Sequence, residues 1–114
     1  MSDCIFCKIA NGEIKSDIVF EDDKIIAFRD LNPQAPVHIL IITKQHFDNI
    51  LSMDSSHTAL LGHLCLTAAN IARQEGIAKD GFRLVVNCNA LGGQSVAHIH
   101  VHLMGGRQMH WPPG

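Results

Sequence analysis

Three histidines alternate with aliphatic residues in His98-Ile99-His100-Val101-His102-Leu103. In a strand, side chains two apart share a face, so the imidazoles form one row and Ile99, Val101 and Leu103 the other. Imidazole is a nucleophile when neutral and a proton donor when charged, so neighbouring rings can divide nucleophile and acid work near neutral pH. Reach argues against one metal ion shared by all three. Same-face neighbours stand roughly 6.6 Å apart and the outer pair about 13 Å, against metal–nitrogen bonds of about 2.0–2.1 Å. One of the three can still join ligands from elsewhere. Directly upstream, Gly92-Gly93-Gln94-Ser95 offers backbone N–H groups that can approach an anion closely and, at Ser95, a hydroxyl. A nucleophile beside fixed donors for phosphate oxygens is what phosphoryl transfer needs.

Cys4-Ile5-Phe6-Cys7 is a second group with chemistry. Its spacing occurs in redox couples, in metal sites and by coincidence. A thioredoxin-like role needs a strand before the motif, and only Met1-Ser2-Asp3 precedes it, which makes metal the better reading. In a reducing compartment Cys4, Cys7, Cys65 and Cys88 are expected as thiols or ligands rather than disulfides.

The elements that must position these groups can be placed from patterning. Ile5 to Ala10 reads as a short helix closed by Asn11-Gly12. Ile18 to Phe20 and Lys24 to Arg29 read as a hairpin turning at Glu21-Asp22-Asp23. After the loop Asn32-Pro33-Gln34-Ala35-Pro36, a buried strand runs from Val37 to Thr43 and places His38 at its start. Apolar residues at Leu60, Leu61, Leu64, Ala68, Ile71 and Ala72 predict one long helix from Asp54 to Gln74, capped by Asp54 or Ser55 and ended by Gly76. Two more strands, Phe82 to Asn87 and His98 to Met104, flank the glycine loop. This order predicts an α+β fold, an antiparallel sheet of about five strands with one long and one short helix, in a single domain spanning 1–114. His57 and His63 are expected as solvated residues of the long helix.

A chain of 114 residues with 46% apolar content can build one core without disulfides, and a dimer would bury more of its modest apolar surface. Nine Lys and Arg face eleven Asp and Glu, scattered and without interleaved aromatics, which argues against a nucleic-acid polymer as partner. A small anionic ligand needs no such basic field. The N-terminal stretch lacks the apolar core of a secretory signal and no apolar run is long enough to span a bilayer, so a cytoplasmic protein is expected.

The run from His98 to Met104 resembles the signature of the histidine-triad (HIT) proteins, in which three histidines alternate with apolar residues. The flanks GGQS and GGRQMHWPPG, with FRDLNPQAPVHILII upstream, resemble the Hint branch, the histidine-triad nucleotide-binding proteins, so the likeness covers essentially the whole chain. It implies a purine nucleoside phosphoramidase acting on AMP or GMP conjugates through a nucleotidyl-histidine intermediate. His100 would be the nucleophile, Ser95 and His102 would meet the α-phosphate and leaving group, and His38 would tune or relay to the nucleophile. Asn87 would meet ribose or phosphate, with Gly93 and Gln94 in the phosphate-side loop. Asp30 would hold the ribose hydroxyls, and Phe6, Ile9, Phe28 and Leu31 would form the purine and ribose pocket. The resemblance also implies a structural zinc held by Cys4, Cys7, His46 and His98. It points to a homodimer in which the tail 105–114, carrying Trp111, completes the partner's site.

The chain departs from the branch at Thr43, where a proline often stands, at Ala97, where an aromatic is common, and at Asn89-Ala90-Leu91. None of these touches the triad, so they bear on leaving-group preference. The sequence leaves open a regulatory protein that binds nucleotide with incidental turnover, a dinucleoside polyphosphate hydrolase and a zinc-dependent hydrolase.

Overall fold

The computed structural model describes residues 3–114. The elements in chain order are α1 (Ile5–Ala10), β1 (Ile18–Glu21), β2 (Ile25–Arg29), β3 (Val37–Thr43), α2 (Thr58–Gln74), β4 (Phe82–Val85) and β5 (His100–Gly105). The strands form one sheet in the order β1-β2-β3-β5-β4, with every neighbouring pair antiparallel. The expected α+β architecture is the one the chain adopts.

Each face of the sheet is built by alternate residues. Ile25, Ala27, Ile39, Ile41, Val101 and Leu103 pack with Leu64, Ala68, Ile71 and Ala72 of α2 to form the main core. On the opposite face Ile26, Phe28, Leu40 and Ile42 pack under Phe6 and Ile9 of α1. Because α1 has only six residues, it covers only part of that face. His38, His100 and His102 lie on the side left to it.

Several boundaries differ from the sequence reading. The hairpin turn takes in Lys24, because Asp22 Oδ1 accepts from the backbone N–H groups of Lys24 and Ile25. The long helix starts at Thr58 after a 3₁₀ turn over Ser55–His57, in which Asp54 and His57 cap each other's backbone. β4 stops at Val85, two residues short of the Asn87 expected to end it. β5 begins at His100: the His98 N–H donates to Val96 O and that of Ile99 to Phe47 O, so the chain joins the β3 ladder only afterwards. At its other end β5 includes Gly105, which leaves the tail to start at Gly106.

Neither His57 nor His63 is simply solvated. The His57 ring lies edge-on to Phe47, 4.7 Å between centroids, and His63 Nε2 stands 2.7 Å from Asp22 Oδ2, tying α2 to the hairpin turn.

Gly105 is sterically required. A Cβ there would stand 2.5 Å from Ile77 Cδ1 and 3.1 Å from Ile77 Cβ. Gly105→Ala is therefore expected to destabilise the fold by about 1–3 kcal/mol, and trimming Ile77 to Ala in the same chain should lessen the loss due to overlap. Urea unfolding of the single and double variants measures both; additive losses would show that the contact is not the cause.

Candidate active site

Register sets the histidines side by side. On the face α1 leaves partly open, Leu40 of β3 pairs with His102, Ile42 with His100 and His38 with Met104. His38 and His102 are thus diagonal neighbours, with His38 Nε2 2.9 Å from His102 Nδ1. The rings of His100 and His102 stand 4.9 Å apart, and Phe6 meets the His100 ring edge-on at 5.1 Å.

The hydrogen bonds assign a proton to each ring. His100 Nδ1 lies 2.6 Å from the His98 carbonyl, which can only accept, so the neutral ring carries its proton on Nδ1 and keeps a lone pair on Nε2. The Gln34 backbone N–H donates to His38 Nδ1 at 3.0 Å, so the neutral His38 carries its proton on Nε2. That proton goes to His102 Nδ1, which leaves neutral His102 with an N–H on Nε2. The strand therefore presents a lone pair on one ring beside a donor on the next.

Burial is what keeps His38 and His102 neutral. It lowers the His38 pKa, against the opposing pull of Asp30, whose Oδ2 is 3.5 Å away. His102 is pushed down to about 4 by burial first and then by the neighbouring rings of His100 and His38. An arriving phosphate anion would favour the protonated form again. Asp30, His38 and His102 lie close enough to hold a cation. The Gln34 N–H nevertheless commits His38 to a proton on the nitrogen that would have to ligate, so the cluster is built for a proton.

The depressed His102 pKa predicts an acid-sensitive fold. The folded-state value of about 4 lies below the unfolded 6.5. Between them the unfolded chain binds the extra proton, so this contribution is complete above pH 6.5 and is lost as pH falls towards 4. Roughly 3 kcal/mol is at stake. Urea unfolding at pH 7 and pH 4.5 should show a steeper loss for the wild type than for His102→Gln in the same metal state; equal losses would contradict the assignment.

Beside the histidine pair lies a pocket of about 260 Å³. Phe6, Ile9, Phe28 and Leu40 form its apolar wall, while Asp30, Ser95, His100 and His102 give it a polar end. Leu31 is at the rim, 98% exposed. Asp30 accepts from the Asn32 N–H through Oδ1, leaving Oδ2 toward His38. Of the expected catalytic and nucleotide-binding residues, His38, Asn87, Gly93, Gln94 and Trp111 are not among the pocket's lining, and His38 reaches it through His102. The Gly93 and Gln94 N–H groups already donate within the loop, to Ala90 O and Asn89 O, and the Gln94 side chain bridges Asp48 O, Val96 O and the Asn89 N–H. Asn87 is half-buried beyond the end of β4. Trp111 is 83% exposed and so is not packed into its own chain.

The fourth histidine of the region belongs to a separate corner. His98 is fully buried, and its Nε2–H donates to Thr43 O at 2.7 Å, so its Nδ1 is a lone pair. His46 Nε2 is 2.7 Å from Asp48 Oδ1, which likewise leaves Nδ1 as the acceptor. The two Nδ1 atoms face each other at 3.1 Å. Cys4 Sγ lies 3.4 Å from His98 Nδ1, and Cys7 Sγ lies 3.1 Å and 3.5 Å from the His46 and His98 nitrogens. All four ligand atoms fall within 4.8 Å of one another. Lone pairs so opposed call for a cation. Around tetrahedral zinc the donors would be separated by roughly 3.3 Å for two nitrogens and roughly 3.6 Å for nitrogen and sulfur, so the set fits. Four protein ligands leave no open position, which makes such an ion structural.

Sequence reasoning missed the partners that orient these rings: Gln34, Thr43 O and Asp48. Only Asp48 had a sequence signal, a carboxylate two residues after a ligand histidine. Ile5, Ile14, Lys15, Ser16, Leu40 and Val96 also line the pocket without having been singled out.

Residues 11–109 match the family model described as the HIT domain. The chain belongs to the HIT family. Among its HIT relatives, the adenylylsulfatase HINT1 of Arabidopsis thaliana is 54% identical, over 99% of this chain and 78% of that one. The purine nucleoside phosphoramidase of Escherichia coli is 52% identical over 92% of this chain and 88% of that one. A Brassica juncea relative named 14 kDa zinc-binding protein is 53% identical over 98% and 100%. The crystal structure of a HIT family hydrolase from Legionella pneumophila superposes with a TM-score of 0.96 at 53% identity, over 98% of this chain and all of the other. The HIT fold, the hydrolase class and the nucleotide connection are thereby carried by close relatives. Among the described residues no helix is long and apolar enough to cross a membrane.

Proposed function

We propose that this HIT protein cleaves purine nucleoside phosphoramidates and related AMP or GMP conjugates at the α-phosphate, through a nucleotide covalently held on His100. The observation that carries the reading is the His100 Nδ1–H donated to the His98 carbonyl, which leaves Nε2 with a lone pair on a ring that lines a pocket with apolar and polar sides. In the first step His100 Nε2 attacks phosphorus, the P–N bond breaks, and His102 passes its Nε2 proton to the departing amine. The His38–His102 pair takes that proton up from solvent when the phosphate anion binds, so both rings end the step neutral. In the second step water attacks phosphorus and gives up one proton to solvent, and the His100–phosphorus bond breaks with its electron pair returning to Nε2, releasing the nucleoside monophosphate.

Phe6, Ile9, Phe28 and Leu31 would hold base and ribose, Asp30 the ribose hydroxyls, and Ser95 the phosphate. Asn87 and the Gly93-Gln94 loop, outside the pocket's lining, would support the phosphate side. The protein would act in the cytoplasm as a homodimer, each tail carrying Trp111 to the partner's pocket. The exposed tryptophan supports that arrangement, since it finds no cover on its own chain. A zinc ion on Cys4, Cys7, His46 and His98 would supply cross-linking of α1 to the sheet and no chemistry.

The test is turnover of adenosine phosphoramidate, adenylyl sulfate, an aminoacyl-adenylate and diadenosine triphosphate under one set of conditions. Phosphoramidate is expected to be fastest; preference for diadenosine triphosphate, or AMP binding without turnover, would overturn the reading. Light scattering should give about twice the 12.5 kDa chain mass, and deleting Gln108 to Gly114 should alter substrate preference more than stability. A fully active monomer would contradict the dimer.

A further inference from the structure

The metal corner and the nucleophile share a residue. We propose that His98 is a positioning residue whose ring is fixed by the metal and whose main-chain carbonyl fixes His100, so that occupancy of the Cys4–Cys7–His46–His98 corner is felt at the attacking nitrogen. The proposal rests on the reading above only in naming His100 the nucleophile.

His98 precedes the β5 ladder, so regular strand pairing does not set its backbone. Other contacts do. Its ring is anchored through Nε2 on Thr43 O and through Nδ1 on the donor cluster, and its N–H is held by Val96 O. The next residue, Ile99, donates to Phe47 O at 2.7 Å, and Phe47 directly follows the ligand His46. The carbonyl between these anchors is the one that accepts from His100 Nδ1 at 2.6 Å. Without a cation only the thiol protons of Cys4 and Cys7 are left to pair with the two Nδ1 lone pairs 3.1 Å apart, and the exchange of metal bonds for longer S–H···N contacts shifts the His46 segment or His98, either of which turns that carbonyl.

A second path runs through α1. Phe6, between the two ligand cysteines, touches the His98 ring at 6.0 Å and the His100 ring at 5.1 Å. Both paths lead to the same result: the metal selects the Nδ1–H form of His100 and thereby keeps Nε2 nucleophilic. Partners that orient a functional ring in this way typically matter by about tenfold or more.

The experiment uses ¹⁵N-histidine-labelled full-length protein at pH 8, loaded with zinc, loaded with the larger cadmium ion, and stripped by chelator, at a temperature where each form is folded by circular dichroism. Ring-nitrogen spectra should report His100 as Nδ1–H in the zinc form. The stripped form should give a mixture with the Nε2–H form, and the cadmium form a displaced signal. Turnover should fall about tenfold in kcat on stripping with KM little changed, and His46→Cys, which restores four ligands, should recover what His46→Ala loses. An unchanged His100 ring spectrum and unchanged kcat in the cadmium form and in His46→Ala would overturn the proposal. The cadmium form decides the matter if the stripped protein fails to fold. The ring spectra stand apart from substrate, so the inference can fail while the proposed activity holds, or the reverse.

Discussion

Replacing His100 with Ala is expected to abolish turnover, with kcat reduced by at least about 10⁴-fold, while the chain folds and still binds AMP. The size follows from removing the nucleophile of a covalent mechanism, after which only positioning and donors remain. Folding should survive because the His100 ring faces the pocket beside Phe6, whereas the core on the opposite face is made by Val101 and Leu103. The loss comprises the hydrogen bond to His98 O and the edge contacts with the rings of Phe6 and His102. His102→Ala should be milder, since water can protonate a leaving amine, and milder still for substrates whose leaving group needs no proton. Calorimetric AMP binding alongside steady-state kinetics checks both parts. A His100→Ala chain that turns over near the wild-type rate would remove the covalent mechanism.

Chelation is expected to have the largest effect on stability. The four ligands come from residues 4, 7, 46 and 98, so an ion there ties α1, the segment after β3 and the approach to β5 together. Binding energy that exists only in the folded state adds to folding energy. At a metal concentration a thousandfold above its dissociation constant it supplies about 4 kcal/mol, worth roughly 15 °C in Tm for a domain of this size. His46 is exposed, so a chelator has access. Elemental analysis of protein purified without chelator should find about one zinc per chain, and activity should fall at or before the temperature at which structure is lost. Zinc-free protein with an unchanged melting curve would contradict the structural role.

How far the sequence could be read depended on whether a feature was local. The alternation at 98–103 separates pocket from core because a strand has a period of two, and that holds for His100 and His102 against Val101 and Leu103. The helix periodicity over Leu64, Ala68, Ile71 and Ala72 likewise marks the buried stripe of α2. The departure of His98 from its strand was not visible, because it depends on the Phe47 carbonyl and the Thr43 carbonyl, both brought in by the fold. The same is true of the tautomer of His38, which a backbone N–H at Gln34 decides. His63 looked like a surface residue since its partner, Asp22, lies 41 positions away. The glycine loop was read as an anion cradle from its composition, but its own turn already uses two of the amides that reading offered.

The most direct measurement is the intact mass of the protein quenched during turnover of adenosine phosphoramidate. One adenylyl group should appear per active chain, map to the peptide carrying His100, disappear with acid and be absent from His100→Ala. Turnover with no adduct at any quench time, or an adduct on another residue, would contradict the account.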